Sequence, residues 1–341
     1  MISEIGSWKC DADRWLIPMT LHVPDNPVSR RIYIVLSPRS LAYSRYGLQT
    51  LLLQSLEQLD IVLITDSRAD REELIAATGG LKNPQKHLIK IFVMEELADL
   101  EASFFARQPN LRSFRHGHPC WRKITDPLLI AGPAEEMIIL DPDLYFPNRF
   151  SFEQTPFQGV LLMWQKPNCL LPPEVVRAAM GGGVRLARHV DIGVAHWRSS
   201  RDLDWLDWML GKVGAPALPH VMHVEAIVWA AIAMREGGGY LDARYWRCWR
   251  RTPVKRIMRK LGVSGRRVLQ SEPWGSIKCF HAGGEAKWWL AEMEQHGVSA
   301  GTARTEPGTV QPFKELTSER FAQEQRLKRV VHGLDYFQLL R

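Results

Sequence analysis

An α/β fold, with a mostly parallel central sheet flanked by helices, is predicted by three features of the chain. Strand-like runs at Ile32–Leu36, Ile61–Ile64 and Leu88–Val93 recur at short intervals, the first rich in β-branched residues. Between the first two, Leu48, Leu52, Leu56 and Leu59 repeat at helical spacing. With 341 residues and 45% hydrophobic content, the chain can bury one large core. Strands alternating with helices at this interval imply βαβ units.

Taken in order, residues 1–30 read as an N-terminal extension, with Trp8, Trp15, several prolines and no periodicity. The first strand closes at Ser37 and Pro38, and the second at Thr65, Asp66 and Ser67. Helices are expected at Glu72–Ala77, Ala98–Arg107 and His118–Ile130. The last of these leads into Met137–Leu140, an apolar run that ends abruptly in Asp141, Pro142 and Asp143. Further strands are expected at Gly159–Trp164 and His189–Trp197, and helices at Pro173–Met180 and Val221–Met234, each helix broken by a glycine triplet. The C-terminal part, 291–341, reads as a linker followed by an amphipathic basic helix over Thr317–Leu334 that can dock on the domain or lie on an anionic membrane.

Composition narrows the classes. No stretch is long and apolar enough to span a bilayer, and the first residues lack a signal-peptide core, so a cytoplasmic location, peripheral at most to the inner face of a membrane, is expected. Five cysteines, Cys10, Cys120, Cys169, Cys248 and Cys279, are widely spaced, which argues against a zinc module or a disulfide framework. A net charge of +7 favours acidic partners. Much of that charge lies between Arg244 and Arg267, which holds ten arginines and lysines, no acid, and the aromatics Tyr245, Trp246 and Trp249. A solvated face, a membrane surface, a glycan or a nucleic acid could each use it; no nucleic-acid module accompanies it, so nucleic acid ranks below the membrane or acceptor.

Two stretches carry chemistry. Asp141 and Asp143, at the C-terminal end of a buried strand, can present oxygens to one divalent cation; this is also the end of an α/β sheet where ligands bind. Far downstream, His281, Gly283, Gly284 and Lys287 place an imidazole, a glycine turn and an amine within seven residues. Backbone N–H groups and a lysine suit a diphosphate, and a neutral imidazole suits a cation such as manganese. Asp191, inside an apolar strand, requires a partner, because an unpaired buried carboxylate is costly. His116 and His118, which could ligate a metal by their spacing, are read as structural. Of the thirteen tryptophans, Trp164, Trp197, Trp205, Trp208, Trp246, Trp249 and Trp288 lie near these segments, and one or two of them are expected to touch an acceptor.

The two motifs together resemble those of the metal-dependent GT-A glycosyltransferases, in the group of glycogenin and the bacterial lipopolysaccharide galactosyltransferases. The strand-end acids match at Leu140–Asp143, and a late H-x-x-G-x-x-K-x-W pattern matches at His281, Gly284, Lys287 and Trp289. The resemblance spans about residues 31–290 and implies a GT-A domain there. It further implies a nucleotide-sugar donor, a UDP-sugar being one candidate, whose diphosphate meets Mn2+ or Mg2+ held by Asp141, Asp143 and His281. Lys287 and the Gly283 and Gly284 amides then contact the diphosphate. Ser37 and Asp66 fall at base-side positions, Lys123, with Arg122 beside it, at a donor-facing basic position, and Asp191 and Glu225 are the candidate catalytic carboxylates. The acceptor is a glycan, a lipid-linked sugar or a protein. The chain departs from the pattern where Asp191 and Ile192 stand for two small polar residues and Glu225–Ala226 for an Asp-Gln pair. A nucleotidyltransferase is a competing class, but no glycine-rich signature lies between Ser37 and Gly47. An inactive relative that only binds glycan or membrane is another.

Overall fold

The computed structural model describes residues 29–198, 202–294 and 303–333. All but the end of the expected N-terminal extension, including Trp8, Cys10 and Trp15, lies outside the described residues. Strand β1 (Arg30–Val35) leads through helix α1 (Leu41–Gln54) to β2 (Leu59–Thr65), and α2 (Arg68–Gly79) leads to β3 (Leu88–Val93). Three helices follow, α3 (Ala98–Phe104), α4 (Pro109–Arg115) and α5 (Arg122–Ile130), before β4 (Glu136–Leu140). After two short strands, β5 (Leu144–Tyr145) and β6 (Arg149–Phe150), come β7 (Val160–Trp164), α6 (Pro173–Gly181) and β8 (Val190–Arg198). The remainder contains α7 (Leu203–Val213), α8 (Val224–Glu236), β9 (Gly238–Tyr240), β10 (Trp246–Cys248), α9 (Pro253–Lys260) and α10 (Gly265–Gln270). It ends with β11 (Cys279–His281), α11 (Ala286–Glu294), β12 (Ala303–Arg304), β13 (Gln311–Pro312) and α12 (Ser318–Gly333).

The main sheet has eight strands in the order β13-β9-β7-β8-β4-β1-β2-β3. Strands β1, β2, β3 and β4 run parallel, whereas β8 is antiparallel to both its neighbours and β13 to β9. The sheet is therefore mostly parallel, as expected. Its strands alternate between two cores: Ile32, Ile34, Ile61 and Leu63 pack with α1 and α2 on one face, and Tyr33, Val62 and Ile64 pack with α4, α5, α7 and α8 on the other. This two-faced burial is why the strands read as nearly continuous apolar runs.

Several boundaries differ from the sequence reading. Helix α1 stops at Gln54, so Leu56 is exposed and Leu59 opens β2 rather than extending the helical repeat. The helix expected from His118 starts at Arg122, because Pro119–Trp121 forms a 3-10 turn capped by His118, whose Nδ1 accepts from the Cys120 N–H at 3.2 Å. His116 contacts Glu101 at 2.7 Å, consistent with a structural role for both histidines. The basic stretch after Trp246 is ordered as α9 and α10, each started by a capping hydroxyl, Thr252 and Ser264. The segment read as a linker contributes β12, paired with β6, and β13, on the edge of the main sheet. Helix α12 places Phe321 in the core. Among the described residues, no helix is long and apolar enough to cross a membrane.

Candidate active site

The acids reach their positions through β4, which ends at Leu140 with the Asp141 N–H donating to the Gly193 carbonyl at 2.8 Å. Immediately after Asp143 the chain enters β5, the edge of a second, three-stranded sheet ordered β10-β11-β5. In that sheet β11 pairs with β5, setting His281 opposite Leu144, and the Ala282 N–H donates to the Asp143 carbonyl at 3.0 Å. Residues 138 positions apart in sequence are thus brought together by one strand pair. His281 Nε2 lies 3.2 Å from Asp143 Oδ1 and 3.5 Å from Asp141 Oδ2. One ligand atom from each of the three lies within 4.8 Å of the others.

The back of the imidazole is held as firmly as its front. His281 Nδ1 contacts Asp191 Oδ1 at 2.7 Å, and the Gly193 N–H donates to that same oxygen at 3.0 Å. The other Asp191 oxygen accepts from the Cys248 thiol at 3.1 Å. This fit depends on β8 being irregular: its register with β7 shifts between Leu162 and Met163, and the displaced residues carry Asp191 to the histidine. Gly193 is required there, since a Cβ at this position would fall 2.6 Å from His281 Nδ1.

Electrostatics follow from this packing. Burial disfavours the charged imidazole, but Asp191 and Asp143 outweigh it and hold His281 well above its ordinary range. Burial also works against ionised Asp191 and Asp143, yet the adjacent His281 holds both carboxyls below the usual range. Burial pushes the Cys248 thiol up to about 12, so it stays protonated and serves as a donor to Asp191.

On the other side of Asp141, Lys123 from α5 pairs with Asp141 and lies 2.9 Å from Glu225 Oε1 on α8. All three side chains are buried or nearly so. Burial opposes a charged Lys123, but the two carboxylates more than compensate and raise its pKa. Burial drives Glu225 up to about 8, with Lys123 pulling it back. Glu225 Oε1 also accepts from Trp229 Nε1 at 3.2 Å, while Oε2 is buried without a partner.

The glycine turn sits at the start of α11, with Gly284 in the left-handed region at φ +65°. Lys287 Nζ lies 4.6 Å from the Tyr43 ring centroid and 5.6 Å from that of Trp288, and it is close enough to Asp143 to help hold that acid's pKa down. Ser37 caps the 3-10 turn after β1, its Oγ accepting from the Arg39 N–H at 3.4 Å. Asp66, exposed after β2, pairs with the buried Arg122. The structure therefore unites Asp141, Asp143, His281, Asp191, Lys123 and Glu225 in one connected cluster. Ser37 and Asp66 end neighbouring strands but join no contact of that cluster. Among the aromatic candidates, Trp197 and Trp246 are core residues, and Trp208 and Trp288 are exposed.

Sequence reasoning missed Cys248, which carries no motif and reaches Asp191 only through the pairing of β10 with β11. It also left the Lys123–Glu225 contact unseen, because that contact joins two helices about a hundred residues apart. A glycine interrupting an apolar strand was the visible trace of the Gly193 approach.

No family model matches the chain, and no curated protein sequence matches it. Solved structures do, and those most similar are glycosyltransferases. Mouse xyloside xylosyltransferase 1 in its apo form is 14% identical, with 76% of this chain and 98% of that chain covered at a TM-score of 0.46. The galactosyltransferase LgtC in complex with donor and acceptor sugar analogues is 12% identical, with coverages of 80% and 96% and the same TM-score of 0.46. The glycosyltransferase GlyE of Streptococcus pneumoniae, in its apo form, is 10% identical, with coverages of 83% and 66% and a TM-score of 0.41. Likenesses this remote leave each residue's role to be argued from the geometry of this chain.

That geometry places Asp191 directly behind His281, one oxygen on Nδ1 and the other on the Cys248 thiol. A carboxylate behind a metal-ligating imidazole fixes its tautomer and orientation, and losing such a partner typically weakens metal affinity by about 10–100-fold. On the cation-binding reading proposed below, Asp191→Asn is expected to weaken manganese binding by that factor, measured by tryptophan fluorescence titration, without a comparable fall in melting temperature. Equal affinity in the two proteins would remove the positioning role.

Proposed function

We propose that this chain is a divalent-cation-dependent glycosyltransferase, moving a sugar from a nucleotide-sugar donor to a glycan, lipid-linked or protein acceptor. The observation that carries this reading is the convergence of Asp141, Asp143 and His281 to within 4.8 Å beside the Gly283–Gly284 turn and Lys287. Two carboxylate oxygens and one imidazole nitrogen suit Mn2+ or Mg2+, with the remaining positions left to water and a diphosphate. When bound, such a cation supplies Lewis-acid stabilisation to the diphosphate that leaves as the sugar is transferred.

The protein's own groups have complementary work. Lys287, its Nζ over the Tyr43 ring, presents a positive charge whose field reaches Asp143, where a phosphate oxygen can take it. The amides of Gly283 and Gly284 are the candidate backbone donors to the same diphosphate. Glu225 Oε2 is buried without a hydrogen-bond partner and is the group with capacity to bind a donor or acceptor hydroxyl. Asp191 has both oxygens engaged and acts through His281. Ser37, Asp66 and Arg122 occupy the ends of neighbouring elements, where a nucleoside could extend.

A thermal-shift series with nucleoside diphosphates and nucleotide sugars, each with and without manganese, tests this reading. A ligand specific for the folded state at about a hundred times its Kd contributes about 2.7 kcal/mol. At least one nucleoside diphosphate is expected to raise the melting temperature by several degrees, and only when manganese is present. If no diphosphate of any base shifts the transition, or if the shift ignores manganese, the assignment fails.

A further inference from the structure

Helix α9 is built the wrong way round for a helix packed on a soluble domain. Its apolar residues Val254, Ile257 and, at the C-cap, Leu261 are spaced to share one face, and they are 66%, 49% and 78% exposed. No residue of the helix is buried. Its cations supply the contacts to the body instead: Lys255 Nζ lies 4.0 Å from the Trp249 ring centroid and pairs with Glu272, and the Arg259 guanidinium lies 5.1 Å from the Trp289 ring centroid. Arg251 at the preceding turn reaches Glu285 at 3.2 Å. A soluble helix normally turns such a stripe toward the core, so three aliphatic side chains in water call for something to cover them.

We propose that α9 is a membrane-docking element whose Val254–Ile257–Leu261 face enters the interface of an anionic bilayer. Charge complementarity selects that occupant. No acid lies between Arg244 and Arg267, and Arg251, Arg259, Lys260 and Arg267 are all exposed around the stripe. A cationic rim about an aliphatic face matches anionic headgroups over acyl chains. A protein partner fits less well, because stable interfaces cover about 800 Å² on each side and are anchored by aromatic residues, whereas this stripe is three aliphatic side chains. A nucleic acid has use for the charge but none for an outward aliphatic face, and Trp249 is already packed against Phe280 and Trp289. Helix α9 is braced by the 280–289 segment that carries His281 and Lys287, so docking would hold the candidate site near the bilayer surface. The consequence for a lipid-linked acceptor rests on the sugar-transfer reading; the docking does not.

Co-sedimentation of the full chain with phosphatidylcholine vesicles containing about 30% phosphatidylglycerol, against phosphatidylcholine alone, tests the proposal without any measurement of transfer. Binding is expected to the anionic vesicles and to weaken in high salt. The triple variant Val254→Ser/Ile257→Ser/Leu261→Ser should bind at least tenfold less, with its melting temperature lowered by only a few degrees because these side chains are largely exposed. Lys260→Gln and Arg267→Gln should each cost about fivefold. The proposal is overturned if the folded triple variant binds like the wild type, or if neutral vesicles bind the wild type equally well. It is also overturned if gel filtration shows a wild-type dimer that the triple variant loses, since the face would then serve a second copy of the chain. In each case the proposed transferase activity would still stand or fall by the nucleotide experiments.

Discussion

Asp143→Asn is expected to lower manganese-dependent transfer from a nucleotide sugar by about 10²–10³-fold while leaving the fold in place. The substitution preserves size and one carbonyl oxygen but removes the unit charge that faces His281 Nε2 at 3.2 Å. Lewis-acid stabilisation of a leaving oxyanion amounts to several kcal/mol, and each ~1.4 kcal/mol is a factor of ten in rate. Asp143 contributes to the architecture through its backbone, whose carbonyl accepts from the Ala282 N–H, and the substitution leaves that hydrogen bond intact. Rate, manganese dependence and melting temperature should therefore separate: the first two change and the third moves by only a few degrees. A folded Asp143→Asn protein with wild-type rate and wild-type manganese dependence would end the metal assignment. The same variant should leave vesicle binding through α9 unaltered, since the contacts that brace that helix run to Glu272, Trp249 and Trp289.

The sheet and the acidic strand end were legible in the sequence because both are recorded locally. A strand buried on two faces shows as a run such as Ile61–Ile64, and the place where the chain leaves the sheet shows as the change from Leu140 to Asp141. The pairing of His281 with those acids was visible only by resemblance to a family. Its physical cause is the β11–β5 ladder, whose two short strands carry almost no periodicity. The Lys123–Glu225 contact and the Cys248 donor depend on how α5, α8 and β10 pack in three dimensions, and no spacing in the chain encodes that. Helix α9 had a readable start, Thr252 before Pro253, but its dense positive charge left a solvated face, a membrane surface and an acceptor all open, and the aliphatic stripe within it was not singled out.

The largest effect on stability is expected from Lys123→Met. Lys123 is the cation standing between Asp141 and Glu225, and its side chain is only 4% exposed, against 14% and 1% for theirs. Exchanging the buried ammonium for an apolar side chain of similar length leaves two carboxylates without it. Breaking a buried ion pair from one side costs about 3–5 kcal/mol. Glu225, already pushed up to about 8 by burial, can escape part of that cost by remaining protonated. Asp141 shares part of that escape, since burial and the adjacent Asp143 also push its pKa up, with His281 the remaining cation that favours its charged form. Chemical denaturation should therefore show a loss near the lower end of that range at neutral pH. The double variant Lys123→Met/Glu225→Gln should recover part of it, because one uncompensated carboxylate is removed along with the lysine; a coupling energy of at least about 1 kcal/mol is expected from the cycle. Strict additivity, or a Lys123→Met protein as stable as the wild type, would mean that the lysine does not hold the two acids together, and Asp141 would then need another source of order.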